Sequence, residues 1–75
     1  MTIQELKNYN VTSIHYPSWV DYFDWRGPVE EEDTLITVNH NYVLEKDRIA
    51  HIEKLGNRIT VTMTYGQRII LNVQE

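Results

Sequence analysis

The chain has 75 residues, is 41% apolar and 24% charged, carries a net charge of −4 and contains no cysteine. These values describe a folded globular chain and exclude intrinsic disorder, a disulfide framework, a thiol nucleophile and thiolate metal sites. No apolar run approaches the ~20 residues of a membrane-spanning helix, and the acidic balance argues against a primary nucleic-acid role.

In chain order, Thr2-Ile3-Gln4-Glu5 fits a capping box. It predicts a short helix over 3–8, ended by Asn8-Tyr9-Asn10 and docked through Ile3 and Leu6. The first residues lack the charged start and apolar stretch of a signal peptide, so a cytoplasmic location is expected. Residues 11–16, rich in β-branched and aromatic side chains, read as a strand ended by Pro17. Tyr16, Trp19, Val20 and Phe23 fall at i, i+3, i+4 and i+7, which predicts a helical turn over 18–25 capped by Ser18. Trp19, Phe23 and Trp25 also nearly suit one face of a strand, and that alternative stays open. Residues 26–33 read as a charged, exposed loop.

Residues 34–39 form a predicted strand, Asn39-His40-Asn41 has turn chemistry, and residues 42–45 return as a second strand. Lys46-Asp47 is a further turn. Residues 48–54 read as a strand, with a helical turn as the competing reading because Ile49 and Ile52 lie three apart. Gly56 and Asn57 are expected to supply the backbone angles of a tight hairpin. Ile59, Val61, Met63 and Tyr65 alternate with Arg58 and three threonines, and Ile69, Leu71 and Val73 alternate with polar neighbours beyond a turn at Tyr65-Gly66-Gln67. The fold class is therefore mainly β: a short N-terminal helix and a strongly curved antiparallel sheet or small barrel of five to six strands, ending in a meander over 48–73. The chain is one domain.

Residues 43–73, with Ile49-Ala50-His51-Ile52-Glu53 followed by Ile59-Thr60-Val61-Thr62-Met63-Thr64-Tyr65-Gly66 and Ile69, resemble the strand-turn-strand pattern of flagellar FlbD-type proteins and the end of LytTR-type DNA-binding domains. The resemblance covers under half the chain and consists of hydrophobic alternation plus one turn glycine. The acidic, aromatic first half matches neither family, so no family membership is assigned.

The residues that could carry function fall into four groups. His15, His40 and His51 lack the spacing of a metal site, and no cofactor or metal is expected. Ser13-x-His15 places a nucleophile and a base on one strand face, but no third member is legible and so short a chain has little room for a reaction pocket. We therefore expect no enzyme. Six of the eight aromatics (Tyr9, Tyr16, Trp19, Tyr22, Phe23, Trp25) sit in the first third of the chain, more than a small core needs. Beside them stand Asp21, Asp24 and the run Glu30, Glu31, Glu32, Asp33, which lacks the ligand spacing of a Ca²⁺ loop. Exposed Trp and Tyr next to charge make interaction hot spots, and a fixed acidic patch can imitate a phosphate backbone.

The leading expectation is a non-catalytic protein-binding module, of the small accessory or inhibitor kind that phages and mobile elements encode. It would occlude a partner's basic, nucleic-acid-binding groove through Trp19, Asp21, Tyr22, Asp24, Trp25 and Glu30 to Asp33. The alternative is a small nucleic-acid- or nucleotide-binding barrel using Arg48, Lys54, Arg58 and Arg68, with Tyr42 or Tyr65 stacking a base. Interspersed Glu45, Asp47 and Glu53 weaken that field. A homo-oligomer paired through an open edge strand is a third possibility. No membrane partner is expected.

Overall fold

Each half of the chain folds its apolar residues inward at the period of a strand. In the computed structural model, which describes residues 1–74, this produces eight strands in two antiparallel sheets. The helix α1 (Ile3–Leu6) is followed by β1 (Asn10–Tyr16), β2 (Trp19–Gly27), β3 (Val29–Glu31), β4 (Leu35–Val38) and β5 (Tyr42–Glu45). A 3₁₀ turn (Lys46–Arg48) leads to β6 (Ile49–Leu55), β7 (Arg58–Met63) and β8 (Arg68–Gln74). The larger sheet has the order β2-β1-β8-β7-β6 and the smaller the order β3-β4-β5. The two are not closed into a barrel.

The helix forms where the capping box places it. Thr2 Oγ1 accepts from the Glu5 N–H and the Glu5 carboxylate accepts from the Thr2 N–H, each at 3.1 Å. It spans four residues rather than six, and Leu6 is fully buried. The meander β6-β7-β8 is as expected. Gly56 alone takes a left-handed φ in the β6–β7 turn; Asn57 does not. The β4–β5 turn is built from two consecutive left-handed residues, Asn39 (φ 53°) and His40 (φ 61°).

Residues directly opposite in antiparallel strands project to the same face, so the register defines both layers. One face of the larger sheet holds Ile14, Leu71 and Ile59, all buried. It shares a single core with Val29, Ile36, Val38 and Leu44 of the smaller sheet. The opposite face of the larger sheet is open to solvent. It carries the cross-strand rows Tyr22-Ser13-Asn72-Arg58-Leu55, Val20-His15-Ile70-Thr60-Glu53 and Arg68-Thr62-His51.

Two expectations are corrected. Residues 18–25 are not helical. From Trp19 onward they are strand β2, because Trp19 and Asp21 lie opposite Tyr16 and Ile14 on the inward face while Val20 and Tyr22 point outward. The helical spacing of Tyr16, Trp19, Val20 and Phe23 arises from a different geometry: a tight turn at Pro17-Ser18 lays Trp19 flat on Tyr16, with ring centroids 4.3 Å apart. Nor are residues 26–33 a loop throughout. Val29 is buried and anchors β3 against β4, through which Glu30 and Glu31 alternate faces. The strand count is accordingly eight, not five or six.

Candidate binding surface on strand β2

Strand β2 edges the larger sheet and leaves its ladder in the middle. Tyr22 lies opposite Ser13 and Gly27 lies opposite Val11, so five steps along β2 correspond to two along β1. Residues 23–26 must therefore arch away from the sheet, an extended form of bulge. Phe23 folds inward at one foot of the arch. A Cβ placed on Gly27, the other foot, would lie 2.7 Å from the Phe23 ring and 2.7 Å from the Val11 carbonyl oxygen. Only glycine lets the ring close over that backbone. The apex, Asp24-Trp25-Arg26, is exposed, and Trp25 is 85% exposed.

The other aromatics divide between core and surface. Tyr22 is 71% exposed on the open face, its ring edge-on to His15. Trp19 is 45% exposed, with one side of the indole covered by Tyr16 and with Tyr42 5.6 Å away. Tyr16, Phe23 and Tyr42 are half-buried between the sheets. Asp21 is turned inward, where its carboxylate accepts from the Tyr42 hydroxyl. That hydrogen bond, and then burial, pushes the Tyr42 phenol above its usual pKa.

The acidic run does not act as one patch. Glu31 faces α1 and the 3₁₀ turn, where it binds Lys46 at 2.7 Å and Lys7 at 3.2 Å and accepts from Gln4 at 2.8 Å. The Lys46 contact first, then Lys7, holds its carboxyl below the ordinary carboxylate range. Glu30 reaches His40 across the smaller sheet at 2.8 Å, while Glu32 and Asp33 are exposed between β3 and β4. The residues left outward are therefore Tyr22, Asp24, Trp25, Glu32 and Asp33, with Trp19 and Glu30 partly engaged.

The four basic residues are also separated. Arg48 is tied to Glu45 at 2.7 Å, and Lys54 lies over the Tyr9 ring at 5.4 Å on the inward side of β6. Arg58 and Arg68 share the open face of the larger sheet, about 13 Å apart by strand spacing, since Arg68 lies opposite Thr62, four residues along β7 from Arg58. A depression of about 300 Å³ lined by His51, Glu53, Thr60, Thr62 and Arg68 lies on that face.

Ser13 and His15 do meet, and Asn72 is a third member that local sequence could not reveal, 59 residues from Ser13. The Asn72 amide donates to Ser13 Oγ at 2.8 Å and to His15 Nε2 at 2.9 Å, and Ser13 Oγ lies 3.2 Å from the same nitrogen. An amide nitrogen can only donate, so the lone pair of Nε2 accepts from Asn72 and Ser13 Oγ accepts the other amide hydrogen. Ser13 is only 3% exposed, and the partners of the His15 ring among the described residues are Ser13, Asn72 and Tyr22. The cluster thus satisfies the polar groups of a half-buried centre in the sheet. Among the described residues, no three His, Asp or Glu side chains converge as metal ligands, and no helix is long and apolar enough to cross a membrane. Compared with family models, with curated proteins and with solved structures, the chain matches none.

Proposed function

We propose that the chain is a non-catalytic protein-binding module whose contact surface is the arch and outer aromatic row of β2. The observation that carries this reading is Trp25, the most exposed large apolar side chain among the described residues, held on an arch whose feet are fixed by Phe23 and Gly27. A tryptophan offers 150–250 Å² of rigid surface at low entropic cost. Tyr22 flanks it on the open face, and Asp24, Glu32 and Asp33 add negative charge suited to a basic partner surface. Binding there would act by occlusion, as an accessory protein or inhibitor does.

Trp25→Ala should weaken partner binding at least ~30-fold, the size of a central hot spot, while the melting temperature stays near that of the parent. Capture from a cell lysate by the parent and the variant, compared side by side, reads this. A folded Trp25→Ala, Asp24→Ala protein that retains the same partners undiminished overturns the reading. A second reading, nucleic-acid binding, draws on the open face of the larger sheet, where among the described residues Arg58 and Arg68 outnumber the acid Glu53. Retardation of single-stranded DNA or RNA at low salt, lost in an Arg58→Ala, Arg68→Ala variant, would favour it; no retardation removes it.

A further inference from the structure

The apex of the arch reads Asp24-Trp25-Arg26, an acid and a base on either side of the exposed indole. Among the described residues neither Asp24 nor Arg26 makes an ion pair, although Glu30, Glu31, Glu45 and Glu53 all do. The charges at the tip are therefore unused within the chain. A two-fold contact brings one surface patch against itself, so that residue i meets j and j meets i. Two antiparallel copies of this apex, related by an axis at Trp25, set Asp24 of each copy against Arg26 of the other and the two indoles against each other. A parallel arrangement would instead oppose like charges.

We infer that a second copy of this chain docks on the arch about such an axis, edge to edge, with Trp25 opposite Trp25 and two Asp24–Arg26 ion pairs across the contact. The inference rests on the reading of the arch as a protein-binding surface and adds that a second copy covers it weakly, in competition with a basic partner. The net charge of −4 opposes unspecific association of the chain with itself, so attraction must be local, and the apex is where opposite charges face outward together. The contact is small, below the ~1,200 Å² of standard interfaces. The dimer is accordingly weak and assembles at high protein concentration.

Sedimentation velocity from about 10 µM to about 1 mM, concentrations that span weak association, tests this with a charge swap. The parent should shift from monomer to dimer across the range. Asp24→Arg alone and Arg26→Asp alone place like charges in both pairs and should remain monomeric. An equimolar mixture of these two variants restores both pairs and should dimerise, although both proteins remain net negative. The double variant Asp24→Arg, Arg26→Asp should dimerise alone. Trp25→Ala should weaken association at least ~10-fold. These positions are exposed and lie outside the ladder, so all variants should melt with the parent; if a reversed charge prevents folding, Asp24→Asn and Arg26→Gln should each weaken the dimer instead.

A parent that stays monomeric throughout overturns the inference, as do single-reversal variants that dimerise like the parent. A mixture that stays monomeric while the parent dimerises overturns the two-fold arrangement. Loss of a captured partner with Trp25→Ala, in a parent that never dimerises, leaves the arch as a binding surface for another protein. An arch variant that alters neither dimerisation nor capture removes both.

Discussion

Gly27 shows how one missing side chain shapes the edge of the sheet. A side chain there would meet the Phe23 ring and the Val11 carbonyl, which belongs to the β1 ladder and cannot shift freely. Gly27→Ala should therefore destabilise the fold by about 1–3 kcal/mol, the usual range for overpacking. A chemical-denaturation midpoint reads this directly. Two titratable residues tie the smaller sheet to its surroundings, with opposite pH signatures. The Glu31 pKa is depressed in the folded chain by Lys46 and Lys7, so its contribution is complete above the ordinary carboxylate range and is lost as pH falls through the lowered folded value. Glu31→Gln should flatten the acid limb of a plot of melting temperature against pH. The Tyr42 pKa is raised, so its contribution is complete below about pH 10 and fades as pH rises through the folded value. Tyr42→Phe should reduce the alkaline loss of stability without abolishing it, because burial, and then Tyr65, also raises Tyr16.

At the scale of elements, the β4–β5 hairpin closes through two left-handed residues, one of which is histidine. Asparagine tolerates that backbone; histidine tolerates it less well than glycine, the residue favoured at the second position of such turns. His40→Gly removes only an exposed pair with Glu30, worth less than ~1 kcal/mol, and relieves the backbone. Thermal unfolding should show a net gain of a few tenths to about 1 kcal/mol. Element by element, the sequence was most legible where local periodicity decided the structure. β7 and β8 alternate cleanly, and the capping box located α1. It was least legible at β2, where Tyr16, Trp19, Val20 and Phe23 satisfy helical spacing while the strand is selected by pairing with β1. β3 escaped notice because three residues with one buried valine give no period to read. Of the candidate site, the exposure of Trp25 and Tyr22 agrees with an aromatic surplus over the needs of the core. The inward turn of Asp21 and Glu31 depends on Tyr42, Lys46 and Lys7, partners that only the tertiary fold brings near.

The whole molecule has one core shared by two sheets, and a chain of 75 residues buries only about 60–65% of its unfolded surface. Little stability is therefore held in reserve. Leu71→Ala, at a fully buried position on the central side of the larger sheet, should cost about 2–5 kcal/mol and bring the protein to the edge of unfolding at 37 °C, visible as a large drop in melting temperature. Surface changes on the arch should cost almost nothing by comparison. That contrast follows from the way β2 leaves and rejoins its neighbour. With Tyr22 and Gly27 each seated opposite β1, the four residues between them form a detour that the rest of the sheet does not measure. Phe23 is held by the core, but the composition of the exposed residues 24–26 can drift without moving a single pairing elsewhere. One rim of the sheet can thus be rewritten by a few codons while the rest of the scaffold stays as it is, much as a tool handle accepts different heads.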